Sequence, residues 1–435
     1  MIKKTPLFLK WILSSLWSLA LLSQAGVASA QSQYKMSGLH GPNWQYFSTL
    51  NEAGFLLLDQ HKQPLESKNS QQFYVPASTT KLITAFLALK HWGEDYRFKT
   101  EFYLTERVED SAVLVVKGYG DPFLVSEEFP LLVEGLKTQL QAKGIHHIKA
   151  IQLDSSFYQP GLIMPGTGES DNPYDAIPAA IAANFNSIFV KKQGSELLSA
   201  EPQTPMTPAG LQIAKTITVF KKTKEGLVQR INLGNDATLN QRYFSELLRW
   251  FMEQQGLDVE NQVLLKALPK TQDNGANHPV LLYTHFNSRT LAEVIKPMMK
   301  YSTNFIANQL ALNLSAELLG GEATQQKVAL VYKRLLTEYF GWQTFHIEDG
   351  AGLSRNNRLA PSQLVDVLQA FRPWAKLLPE IEQSVFAKSG SLIGVSTLAG
   401  YLKNEQGLLP FAMMINQKVP YRFRNKLAKE LAQAY

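Results

Sequence analysis

The chain has 435 residues, of which 45% are hydrophobic and 18% charged. This is ordinary globular composition for two or three domains, and it excludes a disordered or collagen-like chain. The complete absence of cysteine excludes disulfides, a thiol nucleophile, cysteine-based metal centres and a lipoprotein anchor, while a net charge of +6 spread along the chain gives no argument for nucleic acid.

Residues 1–30 read as a cleaved secretory signal. Lys3, Lys4 and Lys10 form a basic start, residues 11–22 an apolar core shorter than a membrane span, and Ala28-Ser29-Ala30 a small-residue cleavage site before Gln31. No later segment is apolar for long enough to span. The mature protein is therefore expected to be exported, with the periplasm as its compartment, and to rely on its core for stability.

The apolar run 54–59 predicts a strand, and 73–75 its return. From Thr79 the period becomes helical, with Leu82, Ala85, Phe86 and Leu89 on one face and Gly93 as the stop. Runs 113–116, 148–153 and 185–190 read as strands, and the Pro- and Gly-rich stretch 158–175 as loop. Residues 195–240 suggest short β runs at 216–220 and 227–233. Helices follow at 244–255, 291–300, 305–318, 326–340 and 361–370, with polar linker at 270–279. Strands at 385–388, 397–402 and 411–415 suggest one antiparallel sheet, closed by a helix over 422–434.

Three short motifs carry the chemical signal. In Ser78-Thr79-Thr80-Lys81 the lysine lies one turn from the serine, so a neutral amine can act as the base a serine hydroxyl needs. The helix start disfavours the ammonium form, and its free N–H groups favour a developing oxyanion. Ser302-Thr303-Asn304 sits between two helices, where a hydroxyl can relay a proton and an amide can hold a substrate peptide. Lys388-Ser389-Gly390-Ser391 ends a strand, where a cation and hydroxyls can bind a carboxylate and glycine permits close approach. Each motif alone is weak. A capping serine with a surface lysine fits the first template, Ser32-Gln33-Tyr34-Lys35 repeats it, and Ser67-Lys68-Asn69 and Ser354-Arg355-Asn356 repeat the second. In this order and these local contexts, however, the three form the signature of penicillin-binding proteins and serine β-lactamases.

The wider sequence resembles the D-alanyl-D-alanine carboxypeptidase/endopeptidase family, the low-molecular-mass class C penicillin-binding proteins. The resemblance is carried by Pro76-Ala77-Ser78-Thr79-Thr80-Lys81-Leu82, Gly118-Tyr119-Gly120-Asp121-Pro122, Asn184-Phe185-Asn186, Asp349-Gly350-Ala351-Gly352-Leu353-Ser354-Arg355 and Lys388-Ser389-Gly390-Ser391-Leu392. It implies an α/β (α+β) fold: a discontinuous penicillin-binding/β-lactamase-like transpeptidase domain, an antiparallel sheet flanked by helices, formed by 31–98 and 285–435. Residues 99–284 would be a β-rich insertion of one or two domains, with a small β domain nested at about 190–240.

The resemblance also implies roles. Ser78 would be acylated and Lys81 its base, Ser302 would relay the proton, and Asn304 would hold the substrate amide. Lys388 and Ser389 would bind the terminal carboxylate, Gly390 would let the strand backbone approach the substrate, and the N–H groups of Ser78 and Ser391 would form the oxyanion hole. Asp154 would reach toward the site from the insertion. Peptidoglycan stem peptides are the implied substrates, β-lactams the implied covalent inhibitors, and no cofactor is implied. The sequence departs from the family pattern at Ser389 and Ser391, where threonines are usual, and at Asn308, where a glutamate is.

A β-lactamase or D-aminopeptidase on the same scaffold, and a catalytically silent wall-binding protein, remain open alternatives. The eight histidines form no HExxH motif, so no metal site is expected. The basic residues Arg422, Arg424, Lys426 and Lys429 leave room for weak contact with an acidic membrane surface. A solvated closing helix is the better reading, because Phe423, Leu427 and Leu431 form a core-facing stripe.

Overall fold

The computed structural model describes residues 41–222, 226–269 and 278–435. Residues 1–30, read above as a secretory signal, the Ser32–Lys35 repeat of the first motif and most of the 270–279 linker lie outside these. Both ends of the described chain meet in one six-stranded antiparallel sheet. Its order is Glu380–Glu382, Val385–Leu392, Val395–Asn404, Gly407–Ile415, Ala53–Leu58 and Pro64–Lys68. Ala53–Leu58 is an unbroken apolar run because both of its faces are covered. Phe55 and Leu57 pack with Trp44, Phe47 and the closing-helix residues Leu427 and Leu431, whereas Leu56 and Leu58 join the core around Phe86, Leu310 and Leu364. The stripe of the closing helix Phe423–Ala434 thus faces this sheet.

Beneath the sheet runs the helix Thr80–Trp92, ended by Gly93 at φ 80°. It packs against Asn304–Leu319 and Pro361–Phe371 and is buried on nearly every side over its first ten residues. A helix so enclosed holds its first turn, and therefore Lys81, in fixed geometry.

The intervening chain forms a second, mixed sheet in the order Val263–Leu265, His147–Asp154, Ser111–Gly118, Lys99–Val108 and Val280–Phe286. The helices Phe129–Ala142 and Ala237–Gln254 cover it through Phe129, Leu132, Leu136, Phe244 and Leu248. A three-stranded sheet of Glu196–Ser199, Ser187–Gln193 and Val228–Asn232 lies in the same stretch. Among the described residues no helix is long and apolar enough to cross a membrane.

Two local expectations fail for physical reasons. The return strand is Pro64–Lys68, not 73–75. Only Glu66 of that strand is buried, so this edge strand carries no apolar pattern, and Tyr74 makes a single bridge to Leu359. The run 216–220 is divided between two helical segments, Pro208–Thr216 and Thr218–Lys222, with only Ile217 extended between them, despite its β-branched residues. Burial of Ile213, Ala214 and Phe220 against the second core overrides β propensity. The strand Lys99–Val108 and the helix Phe129–Ala142 are additions to the elements read from the sequence.

Candidate active site

The turn before the first motif is held from several directions. Ala77 adopts φ 48°, a left-handed conformation costing about 1 kcal/mol for a non-glycine residue. The hydroxyls of Thr79 and Thr397 both donate to the Pro76 carbonyl, at 2.6 and 2.8 Å, and Thr80 donates to the Ala77 carbonyl at 2.9 Å. The chain then enters a short 3-10 turn, Ala77–Thr79, that leads directly into the helix Thr80–Trp92. Ser78 is half-buried on this turn. Lys81, three residues on, points back along the same face.

Lys81 is fully buried, and its Nζ has three neighbours: Ser78 Oγ at 3.0 Å, Asn304 Oδ1 at 2.7 Å and the Ala351 carbonyl at 2.7 Å. Burial, with the nearby Lys388 charge adding to it, holds this amine well below the ordinary lysine range, against a smaller opposing pull from Asp349. A neutral amine has two N–H donors and one lone pair. Two of the neighbours, Asn304 Oδ1 and the Ala351 carbonyl, can only accept. They take both donors and leave the lone pair facing the Ser78 hydroxyl, so the arrangement is chemically able to take a proton from that serine.

Asn304 opens the helix Asn304–Leu319, and its Nδ2 donates to the Tyr174 carbonyl at 3.0 Å, which fixes which amide atom faces Lys81. Ser302 is the first of the two residues between the helices Leu291–Tyr301 and Asn304–Leu319, at φ 59° and ψ 36°. Left-handed geometry there breaks the helix and lets Asn304 start a new one in a different direction.

Lys388, Ser389, Gly390 and Ser391 lie on the strand Val385–Leu392, which turns at Ile393-Gly394 into Val395–Asn404. The outer edge of this strand meets Glu380–Glu382 only at Val385 and Phe386. Gly390 lies against the nucleophile turn: a Cβ there would fall 2.8 Å from Ser78 N and 2.3 Å from Thr397 Oγ1. Only glycine allows this approach, which brings the strand backbone beside the Ser78 N–H. Lys388 is buried, and its Nζ donates to the Ser389 carbonyl at 2.8 Å. Burial, with the Arg424 charge adding to it, lowers its pKa to about 7.

Ser78, Lys81 and Asn304 are thus in direct contact, and Gly390 abuts the nucleophile turn. Asp154 is not brought to them. It is buried at the end of His147–Asp154, where it accepts from Ser156 N at 3.0 Å and Leu268 N at 3.1 Å and lies 3.7 Å from Lys117 Nζ. These partners tie the end of its strand to Lys117 on the neighbouring strand and to the chain at Leu268, all within the inserted region.

Four contributors escaped sequence reasoning. Ala351 and Tyr174 act through backbone carbonyls, which leave no trace in residue type. Asp349, fully buried, accepts from the N–H groups of Ala351, Leu353 and Ser354 and from Asn357 Nδ2, and so shapes the loop that offers the Ala351 carbonyl to Lys81. Its place in the Asp349–Arg355 string was the available signal. The fourth is Arg424: it lies on the closing helix read as solvated, yet its Nη1 donates to the Gly390 carbonyl and to Ser391 Oγ, the latter at 2.6 Å.

A mixed α/β fold with a serine and a buried lysine at a helix start, beside an antiparallel sheet, defines the penicillin-binding and β-lactamase-like class. The chain belongs to the D-Ala-D-Ala carboxypeptidase 3 (S13) family, whose model matches residues 49–380. It is 25% identical over 423 residues to the D-alanyl-D-alanine carboxypeptidase DacB of Haemophilus influenzae, covering 84% of this chain and 85% of that one. It is 23% identical over 443 residues to a D-alanyl-D-alanine carboxypeptidase of Actinomadura sp., covering 85% and 79%. The crystal structure of penicillin binding protein 4 from Haemophilus influenzae superposes with a TM-score of 0.70 at 21% identity, over 90% of this chain and 99% of that one. A second structure of that protein holds a β-lactam. The family match ends before Lys388–Ser391 and Arg424.

Proposed function

We propose that this chain is an exported serine peptidase that cleaves D-alanyl-D-alanine bonds of peptidoglycan stem peptides, as carboxypeptidase, endopeptidase or both, through an acyl-enzyme on Ser78. The observation that carries this reading is the Lys81 amine, fully buried, held by two acceptors and aimed at Ser78 Oγ. In the first step the Lys81 lone pair takes the hydroxyl proton while Oγ attacks the penultimate D-alanine carbonyl. The N–H groups of Ser78 and Ser391 face the oxyanion, a type of donor whose removal typically costs about 10²–10³ in rate. Ser302 passes the proton to the departing amine, Asn304 holds the substrate amide, and Ser389 and Ser391 meet the terminal carboxylate. Water then releases the acyl group from Ser78.

The edge of Val385–Leu392 from Ser389 onward supports this reading: it has no strand neighbour among the described residues, so an extended peptide can pair with it. The same reading takes 31–98 with 285–435 as the catalytic domain and 99–284 as an insertion. It places the protein in the periplasm, exported by residues 1–30. β-Lactams would acylate Ser78 as substrate mimics.

A labelled penicillin tests the proposal. The wild-type protein should carry one covalent adduct on a peptide containing Ser78, and Ser78→Ala should carry none. An unlabelled wild type, or a labelled Ser78→Ala, would overturn the mechanism. Digestion of purified wall fragments, with products identified by mass, separates loss of a terminal D-alanine from cleavage of cross-links.

A further inference from the structure

The C-terminal helix contributes a cation whose environment is unusual for a structural residue. Arg424 is only partly exposed, and burial pulls its guanidinium below the ordinary arginine range. Among the described residues no carboxylate lies within ion-pair distance of it. The nearby Glu382 is engaged instead by Asn425 Nδ2 at 3.3 Å and, more loosely, by Arg422. A guanidinium partly withdrawn from water without a counter-ion carries some desolvation cost. Its Nη1 is spent on the Gly390 carbonyl and Ser391 Oγ, while Nη2 has no hydrogen-bond partner among the described residues. Because Ser391 Oγ accepts from Arg424, the Ser391 hydroxyl proton remains available to donate elsewhere. The same side chains border a cavity of about 440 Å³ lined by Ser391, Val395, Ser396, Val419, Tyr421 and Arg424.

We propose that Arg424 is a specificity-determining residue that receives the α-carboxylate of the leaving D-amino acid, through Nη2 and the Ser391 hydroxyl that its Nη1 orients. The assignment rests on the acyl-enzyme reading above, and it supplies what Lys388 does not. Lys388 is buried, its ammonium is turned to the Ser389 carbonyl, and near neutral pH it is divided between charged and neutral forms. An arginine keeps its charge across the working pH range and presents a planar fork that matches a carboxylate. The cavity beside it leaves room for whatever continues from that leaving residue.

The test compares three acyl donors on wild type, Arg424→Gln and Arg424→Lys. The first is an acylated D-alanyl-D-alanine with a free carboxylate, the second its C-terminal amide, and the third an acyl-D-alanyl thioester whose leaving thiol is uncharged. Loss of a charged hydrogen bond should raise KM for the free acid about 10- to 100-fold in Arg424→Gln, with kcat little changed. The amide and the thioester should react at near wild-type rates, and Arg424→Lys should recover part of the loss. Equal losses on all three donors would overturn the assignment and make Arg424 a prop for the hairpin. An unchanged preference for acid over amide in Arg424→Gln would overturn it too, while leaving the acyl-enzyme reading intact. A wild type inert toward all three would overturn both.

Discussion

Around the sheet that carries Lys388, the cations Lys81, Lys388 and Arg424 are buried or half-buried, and among the described residues none has a carboxylate within ion-pair distance. Around the second sheet, the buried carboxylates Glu101, Glu128 and Asp154 have a cationic partner. Asp121 is the exception, held by Asn287 Nδ2 and Phe123 N and pushed up to about 6 by burial. Glu128 receives His285 Nε2 at 3.0 Å, Ser288 N at 2.7 Å, Ser288 Oγ at 2.5 Å and Arg289 Nη1 at 3.4 Å. Burial pushes the Glu128 carboxyl up, yet the bonds from His285 and Ser288 outweigh it and hold the group below its ordinary value. Asp154 lies 3.7 Å from Lys117, and Glu101 meets Lys99 at 2.7 Å. The difference separates two uses of burial. Matched charge in the second region fixes structure; unmatched cations in the first are held in a costly state in which an amine can lose its proton and a guanidinium lacks an anion. Backbone strain does not separate the regions in the same way: Ala77 and Ser302 are left-handed at the turns that aim the motifs, but Asn184, Phe185 and Asn186 are left-handed in the second region too.

Substitutions that cross this divide should have opposite signatures. The largest effect is expected for Lys81→Met. It removes the base, so acylation of Ser78 by penicillin should slow by at least about 10²–10⁴-fold, measured by stopped-flow or mass spectrometry. Because it also removes a buried amine without a partner carboxylate, the melting temperature should stay level or rise. A fall of several degrees would break the contrast.

Next is Lys388. It titrates at about 7 in the fold and near 10.5 in the unfolded chain, so between those values the unfolded chain holds the extra proton. Stability therefore rises with pH across that window, and the cost is fully present below about pH 7. Comparing wild type with Lys388→Met by denaturant unfolding from pH 6 to 10 should reveal a difference that changes by roughly 3–5 kcal/mol. A flat difference would remove Lys388 from the unmatched set.

The smallest effect is expected in the second region. Glu128→Ala leaves His285, Ser288 and Arg289 without their common acceptor and should cost about 3 kcal/mol in urea unfolding. Acylation of Ser78 in the folded fraction should be unchanged. A slowed acylation rate at unchanged stability would show that the second region takes part in the chemistry.

Much of the candidate site is legible in the sequence, because its first contact is local. Ser78 and Lys81 are one helical turn apart, and Ser302 and Asn304 flank a single helix break, so residue type and spacing already imply their faces. The central strands and helices are legible for the same reason: Ala53–Leu58 is buried on both faces and reads as an apolar run, and the stripe of the closing helix follows its period. Elements whose stability comes from outside themselves are not. Pro64–Lys68 is a polar edge strand formed because Ala53–Leu58 offers it a partner, and the β-branched residues near 216–220 are helical because a distant core covers Ile213 and Phe220.

By itself, then, the amino-acid order determines which groups are available and which short pairs must face one another. It names the serine, the lysine three residues later, the interhelical amide and the glycine on the strand. Only the tertiary structure decides the environment that makes them reactive. The Ala351 carbonyl reaches Lys81 across 270 residues and Asn304 across 223, while Arg424 crosses 33 residues to Ser391. The tertiary structure also withdraws Asp154, which meets Lys117, Ser156 and Leu268 instead of the site. The physical reason is that burial and long-range hydrogen bonding, which set the proton affinity of an amine, belong to the packed chain and to no segment of it.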